Sequence, residues 1–238
     1  MYSQARLDNA NTATAFWRDD LGNLPTLHYF APHDQLRTAQ ERYIADIFWQ
    51  SYQAKVSDFH PLLFTLQRQG KPVAALGLSH GAQGRLFSET YLDAPVEDYI
   101  PALFEQHCQR ADIMELGNLA GTEPRQSAQI YLLVVAAMHA AGIKYLLFTA
   151  NRLVRASIKR SGFTPLPVCD AEQSRLGEKA SLWGSYYAGT PTVMIADIAL
   201  TMRQALVQPA MVERLQYYQA DIQQLAQVIA STRTSRKA

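Results

Sequence analysis

The chain has 238 residues, of which 48% are hydrophobic, and a formal net charge of +1 at neutral pH. That length is sufficient for one large domain with a sizeable core. The balanced charge argues against a surface that binds nucleic acid or an anionic membrane. The two cysteines, Cys108 and Cys169, are too few for a disulfide framework, and the histidines show no metal-ligand spacing.

The N-terminus carries no visible export signal, because residues 1–20 lack a basic segment followed by an apolar one. The longest apolar run, from Ile130 to Met138, is far shorter than the ~20 residues that a membrane-spanning helix needs. We therefore expect a soluble, cytoplasmic protein that has no integral membrane segment, no bound metal and no nucleic-acid partner.

The predicted elements begin after a polar segment at residues 1–37, which we interpret as an irregular N-terminal arm. Thr38 and Glu41 match the capping box that opens a helix. Apolar residues at helical spacing then continue this helix to Tyr52.

Three apolar runs occupy residues 61–92 and are separated by turn-like sequences at 69–72 and 81–84. This pattern predicts three antiparallel strands joined by hairpins. Residues 94–109 are predicted to be helical, although Pro101 must start a new helix or kink this one.

A strand, a helix and a second strand follow in succession. The first strand is predicted at 112–118, and the helix extends from about 125 to 141, where Gly142 ends it. Together with the apolar run at 143–150, this order implies a parallel strand pair inside a mixed sheet. The later elements are a basic helix at 151–161 and strands at 163–169 and 192–198.

The C-terminal segment shows a heptad seam on one predicted helix. Its apolar side chains are spaced four, three, four, three and four residues apart: Met211, Leu215, Tyr218, Ile222, Leu225 and Ile229. The seam either packs on the chain's own domain or forms a homodimer contact through 211–229. The predicted organisation is an arm at 1–37, a domain at 38–200, a helical appendage at 201–230 and a disordered tail at 231–238.

Glu115 interrupts an otherwise apolar strand, where a buried charge costs free energy unless a hydrogen bond, an ion pair or a ligand compensates for it. Alternation places its carboxylate on the same face as Gly117, which lets a ligand approach the backbone. The opposite face is predicted to carry Met114, Leu116 and Asn118. Glu115 is either a base or amine ligand, or an ion-pair partner of Arg152 or Arg125 that serves the fold alone.

The helix after this strand opens with Arg125, Gln126 and Ser127. Free N–H groups at a helix N-terminus, next to an arginine, suit a phosphate or pyrophosphate, although ordinary helix capping explains the same residues. A carboxylate beside a phosphate site indicates a transferase with a phosphopantetheine donor. Glu89, on a predicted strand, is a second candidate carboxylate or a solvent-facing edge residue.

Three segments together resemble bacterial proteins known as thermostable hemolysins: MELGNLAG at 114–121, LFTANRLVRASIKRSGF at 147–163 and WGSYYAGTPTVMIADI at 183–198. The resemblance covers most of residues 25–200. That family's architecture is similar to the GNAT acyltransferases, especially acyl-homoserine-lactone synthases and N-acyl amino acid synthases. It implies an α/β (α+β) fold with a mixed, mostly antiparallel sheet flanked by helices.

The resemblance also implies a function, which is transfer of an acyl group, expected to be a fatty acyl group, from acyl-CoA or an acyl carrier protein to a small amine. Alternatives are a pore-forming hemolysin, as the family name implies, and a non-catalytic acyl-binding module. Ala128 and Ile130 stand where the GNAT pyrophosphate motif has glycines. This departure argues more strongly against binding of acetyl-CoA than against binding of a carrier-bound acyl donor.

The resemblance assigns expected roles to four groups of residues. Glu115 and Glu89 are the expected catalytic carboxylates, and the backbone of Leu116, Gly117 and Asn118 is expected to polarise the thioester carbonyl. The donor phosphate is expected at Arg125, Gln126 and Ser127. The expected substrate pocket consists of Thr149, Arg152, Trp183 and Tyr186, although an aromatic cluster of this kind also serves packing.

Overall fold

The structure, a computed structural model, describes residues 24–233. Seven strands form one mixed sheet in the order β1-β2-β3-β4-β5-β7-β6. Only the β4–β5 pair is parallel, and every other neighbouring pair is antiparallel. The strands are β1 (Thr26–Phe30), β2 (Leu62–Arg68), β3 (Lys71–His80), β4 (Ile113–Gly121), β5 (Tyr145–Ala150), β6 (Leu166–Asp170) and β7 (Thr192–Asp197).

Seven α-helices flank this sheet within the described residues. They are α1 (Arg37–Tyr52), α2 (Ile100–Phe104), α3 (Pro124–Ala140), α4 (Arg152–Arg160), α5 (Ile198–Leu206), α6 (Pro209–Tyr217) and α7 (Gln219–Thr232). The predicted α/β class, with a mostly antiparallel sheet and a parallel pair across one helix, is confirmed.

The N-terminal part of the chain differs from the prediction at β1. Thr26–Phe30 lie in the segment interpreted as an irregular arm, yet they pair with β2 along the edge of the sheet. Residues 1–23 of the predicted arm and residues 234–238 of the predicted tail lie outside the described residues. The edge strand depends on a tertiary partner, which the local sequence pattern does not show.

The predicted capping box at Thr38 is wrong. Helix α1 begins at Arg37, and the preceding Leu36 makes no side-chain cap. Glu41 instead accepts a hydrogen bond from Arg37 at 2.7 Å. The buried Arg37 guanidinium also donates to the carbonyl groups of Phe30, His60 and Pro61. A turn at Asp34, which accepts the N–H groups of Leu36 and Arg37, precedes this helix, and the tertiary contacts of Arg37 anchor its first residue.

The third predicted strand is also absent, because Phe87–Tyr91 form a 3-10 turn. Glu89 closes this turn by accepting the N–H of Leu86 at 2.7 Å. Helical structure in the next segment is shorter than predicted and consists of Val96–Asp98 and Ile100–Phe104. Pro101 lies in the first turn of α2, as expected of a proline that starts a helix.

Helix α3 explains why its sequence is apolar on all sides. It contacts β2, β3 and β4 of the sheet and also α5 and α7. Its residues from Ala128 to Met138 are all buried. Gly142, in the left-handed region at φ +77°, follows the helix as predicted. We call this side of the sheet the α3 face and the opposite side the α1 face.

The C-terminal seam is divided between two helices, so the prediction of one continuous helix is wrong. Helix α6 ends at Tyr217, and Tyr218 (φ −93°, ψ 17°) separates it from α7. Five of the six seam residues are buried in the α3-face core, and Leu215 packs against that core. Of the two interpretations left open, the structure favours packing on the chain's own domain.

Candidate active site

A cavity of about 710 Å³ opens where β4 and β5 separate. Their parallel pairing ends at Leu116 and Phe148, although both strands continue. Residues 116–121 of β4 and Thr149 of β5 line the cavity beyond this point. Because the strands diverge, the edge of β4 that faces β5 is accessible to a ligand.

A bulge in β4 lies at the same place. Gly77 of β3 pairs with Gly117, but the next pair is Ala75 with Ala120, so Asn118 and Leu119 have no partner in β3. Asn118 has a φ of +51°, in the left-handed region. A non-glycine residue held in this conformation is frequent at functional sites.

The bulge breaks the predicted alternation of side chains along β4. Leu119 packs on the α3 face and Ala120 on the α1 face. Asn118 reaches the α1 face, where its Oδ1 accepts the N–H of His60 at 2.9 Å and its Nδ2 donates to the Asp58 carbonyl at 3.3 Å. The prediction that Asn118 shares a face with Met114 and Leu116 is therefore wrong.

Glu115 lines the cavity with only 1% of its surface exposed. Its two oxygens accept the backbone N–H groups of Ser88 and Phe87, each at 2.6 Å. Burial raises the pKa of Glu115 to about 7, and the hydrogen bonds from Ser88 and Phe87 oppose that rise. Its hydrogen-bond partners are Ser88 and Phe87 rather than Arg152, which is exposed on α4. This carboxyl group can therefore exchange a proton near neutral pH.

Glu89 lies outside the cavity lining, so the structure does not place it in the cavity with Glu115. It is buried and forms an ion pair with Arg110 at 2.5 Å, and Arg110 also binds Glu97 at 2.9 Å. Burial alone would raise the pKa of Glu89, but hydrogen bonds from Arg110, Val96 and Leu86 hold it below its usual value. These contacts fix the 87–91 turn.

Of the three residues predicted to bind phosphate, only Ser127 lines the cavity. Arg125 is exposed, and Gln126 is buried with its Oε1 lacking a hydrogen-bond partner. Pro124 also lines the cavity, so the N-terminal turn of α3 faces it. A Cβ on Gly121 would lie 2.4 Å from Ser127 Oγ, which shows how closely the end of β4 approaches this turn.

The predicted pocket residues are divided in the same way. Thr149, Trp183 and Tyr186 line the cavity, whereas Arg152 does not. Thr149 Oγ1 lies 2.9 Å from Ser88 Oγ, which joins β5 to the 87–91 turn. The ring centroids of Trp183 and Tyr186 are 5.3 Å apart, and both rings also contact Phe48. The aromatic cluster thus serves packing and lines the cavity.

Sequence reasoning missed His60, whose half-buried side chain lines the cavity. His60 Nδ1 lies 2.7 Å from Ser79 Oγ. Burial lowers the pKa of His60 to about 4, so its imidazole is neutral at physiological pH. No local motif marks this histidine, because its surroundings come from β3 and β4.

Two further properties concern the described part of the chain. Between residues 24 and 233, no group of three or more His, Cys, Asp or Glu side chains is placed to hold a metal ion. Within the same residues, every helix is too short or too polar to cross a membrane.

Comparison with solved structures identifies the class of fold. The chain is similar to FeeM, an N-acyl amino acid synthase from uncultured soil microbes, with a TM-score of 0.50 and 15% identity over 77% of this chain and 97% of FeeM. It also matches MesI, a CoA-dependent acyl-homoserine lactone synthase (TM-score 0.46, 14% identity, 82% and 95% coverage). An N-acetyltransferase from Staphylococcus aureus Mu50 also matches, with a TM-score of 0.42 and 11% identity over 73% of this chain and 99% of that protein. The chain thus shares the fold of FeeM, with the mixed, mostly antiparallel sheet flanked by helices that the resemblance implied.

The sequence itself defines the family. The model of the thermostable hemolysin family matches residues 30–202, and the chain belongs to this family. The comparison with curated proteins gave no match.

Proposed function

We propose that this protein is an N-acyltransferase that moves a fatty acyl group from a phosphopantetheine thioester to a small amine. One observation carries the proposal: Glu115, the part of β4 beyond its pairing with β5, and the N-terminal turn of α3 all line the same cavity. These are the parts that acyl transfer needs, namely a proton acceptor, polar backbone and a site for phosphate. The fold shared with FeeM supports the proposal.

In the proposed reaction, the amine nitrogen attacks the thioester carbonyl carbon and forms the C–N bond. The carbonyl π electrons move to oxygen, and backbone at Leu116, Gly117 and Asn118 stabilises the resulting oxyanion. Glu115 accepts the proton of the attacking amine. The C–S bond then breaks, the pantetheine sulfur leaves, and the proton passes to it. The products are an amide and a free thiol.

The donor is proposed to lie across the gap between β4 and β5. Its phosphate would meet the first turn of α3 at Ser127, where the helix dipole favours an anion. The acyl chain would follow the apolar part of the cavity wall, which includes Ala128, Tyr131, Phe148, Ile158 and Phe163. Both acyl-CoA and an acyl carrier protein present the phosphopantetheine arm that this arrangement fits.

The proposal is tested by incubating the purified protein with dodecanoyl-CoA or dodecanoyl-acyl carrier protein and a panel of amino acids and polyamines. We expect a new N-acyl species by mass spectrometry, and the same species in lipid extracts of cells that express the protein. A thermal shift with the donor but no acyl transfer to any amine would indicate an acyl-binding module instead. The absence of both a thermal shift and an acylated product would overturn the proposal.

A further inference from the structure

We propose that His60 is a catalytic residue, on the basis of the acyl transfer proposed above. Its Nε2–H would donate a hydrogen bond to the thioester carbonyl oxygen as that oxygen becomes an oxyanion. Three features of His60 support this role: the glycine slot that accommodates its ring, the contacts that fix it, and the ring nitrogen left for a ligand.

The slot is formed by two glycines that face each other on β3 and β4. Gly77 and Gly117 are cross-strand partners, so this pair presents no side chain to the α1 face. A Cβ on Gly77 would lie 2.7 Å from His60 Cβ, and a Cβ on Gly117 would lie 2.1 Å from His60 Nε2. Both distances are too short for real atoms, so the imidazole occupies space that only a glycine pair leaves free.

Nε2 is thereby held against the backbone of Gly117, next to the bulge at Asn118. This is the part of β4 that has lost pairing to β5. It is also the backbone proposed to polarise the thioester carbonyl. A donor on His60 and donors on the strand would therefore converge on one oxygen, as oxyanion sites require.

The contacts of His60 hold every polar group except Nε2. The backbone N–H donates to Asn118 Oδ1 at 2.9 Å, and the carbonyl accepts from Arg37 Nη2 at 2.7 Å. Nδ1 lies 2.7 Å from Ser79 Oγ. Within residues 24–233, Nε2 has no hydrogen-bond partner, and it is not among the fully buried unpaired atoms. A fixed ring with one accessible nitrogen is preorganised for a ligand.

The contact with Ser79 accommodates the tautomer that this role requires. His60 Nδ1 is the one hydrogen-bond partner of the Ser79 hydroxyl within the described residues. If the hydroxyl donates to Nδ1, its proton is satisfied and the ring proton resides on Nε2. The low pKa keeps the ring neutral and makes it a poor base near pH 7. A neutral imidazole that polarises a carbonyl is an established catalytic device.

The neighbouring cross-strand pair supplies the complementary group. Ser79 pairs with Glu115, two positions from the Gly77–Gly117 pair, and the Leu78–Leu116 pair between them faces the other side of the sheet. The proposed proton acceptor therefore lies on the same face of β4 as Gly117, against which the imidazole of His60 packs. Both side chains line the cavity, so an amine that attacks the carbonyl carbon there could give its proton to Glu115 while His60 donates to the oxygen.

The test compares His60→Ala with His60→Gln, since a glutamine side chain can present an N–H near the position of Nε2. Thiol release from dodecanoyl-CoA is measured with the best amine of the panel, and donor affinity is measured separately. We expect His60→Ala to lower kcat by roughly 10²- to 10³-fold with little change in donor affinity. We expect His60→Gln to recover most of that loss, and Ser79→Ala to lower kcat by about tenfold.

His139→Ala, at an exposed position near the end of α3, is the matched control and should equal the wild type. Equal losses in His60→Gln and His60→Ala, or wild-type rates in both, would overturn the role of His60 while acyl transfer stands. If His60→Ala does not fold, the role of His60 is judged from the kcat values of His60→Gln and Ser79→Ala. Each is compared with the wild type and with the value expected for it above. A wild type without transfer from dodecanoyl-CoA or the carrier-bound donor would overturn the proposed function and this role with it.

Discussion

The carboxyl group of Glu115 offers different hydrogen bonds in its two protonation states. When ionised, it accepts from the amides of Phe87 and Ser88 through both oxygens. When protonated, one oxygen carries a proton that a neighbouring acceptor must receive. The ionised form that the proposed acyl transfer requires of Glu115 is therefore also the form that accepts both amides of the 87–91 turn.

The first prediction concerns pH. A base must be deprotonated to act, and the pKa of Glu115 is raised from 4.5 to about 7. We expect kcat/KM of the wild type to be low at pH 5 to 6, to rise through about pH 7 and to level off above it. The measurement is a pH–rate profile of thiol release. A profile that is level across this range would contradict Glu115 as the base.

The second prediction is that Glu115→Gln lowers acyl transfer by roughly 10²- to 10⁴-fold. A carboxamide has one oxygen, so one of the two amides at the 87–91 turn loses its acceptor. That loss should cost about 1–3 kcal/mol of stability, measured by chemical denaturation. Glu213→Gln, at an exposed site on α6, is the control. Intact turnover in Glu115→Gln would mean that another group accepts the proton.

The third prediction separates Glu89 from the chemistry. Glu89→Gln leaves Arg110 with a weakened partner next to the buried turn, and we expect a loss of about 2–4 kcal/mol in the free energy of unfolding. Glu97→Gln makes the same change at the more exposed partner of Arg110, where the expected loss is under about 1 kcal/mol. A selective loss of turnover in Glu89→Gln, with unchanged stability, would restore it as a catalytic candidate.

Among the elements, the C-terminal helices provide the fourth prediction. Ile222 of α7 is buried in the α3-face core, so Ile222→Asp should destabilise the protein by at least about 3 kcal/mol. Leu206→Asp, where the native side chain is 56% exposed, is the matched control and should cost little. An unchanged unfolding midpoint in Ile222→Asp would show that these helices do not stabilise the domain. The homodimer through 211–229 stays a prediction that sedimentation of the wild type tests.

Elements with a strong local pattern were predicted, and elements that depend on distant partners were not. Helix α3 and strands β4 and β5 follow from apolar runs and from Gly142 at the helix end. The 87–91 turn does not, because Glu115 holds it from a strand that begins 22 residues further along the chain. Likewise, Arg37 anchors the first residue of α1 to carbonyl groups that the local sequence cannot reveal.

The candidate site was predicted in part for the same reason. Glu115 was found because a charge within an apolar strand is conspicuous in the sequence. His60 was not found, because the glycines that accommodate it lie on β3 and β4, 17 and 57 positions further along the chain. The left-handed Asn118 was likewise missed, because the bulge follows from pairing between β3 and β4.

At the scale of the whole molecule, the two faces of the sheet are packed differently. The α3 face carries one continuous core that includes α3 and the C-terminal helices α5, α6 and α7. The α1 face carries two separate clusters, one around α1 and one around α2. Glu115 and Gly117 lie on β4, the strand between these two clusters. The division of the core on this face leaves room for the part of the cavity beside Glu115 and His60, and the cavity also reaches Tyr131 and Phe163 of the α3-face core.

The fifth prediction addresses the hemolysis that the family's description names. If the protein acts as an acyltransferase, membrane damage should come from a surface-active product and should require both substrates. We expect dye release from phosphatidylcholine vesicles only when the thioester donor and the amine are both present. Glu115→Gln should abolish the release. Release by the protein alone at submicromolar concentration would favour direct lysis instead.

The glycine slot also constrains how the family can vary. Positions 60, 77 and 117 share one volume, so a side chain at either glycine position is incompatible with the histidine as it stands. Relatives that carry alanine or a larger residue at position 77 or 117 should therefore lack histidine at position 60. Relatives that keep His60 should keep both glycines, and these three positions should change together as the family diverges.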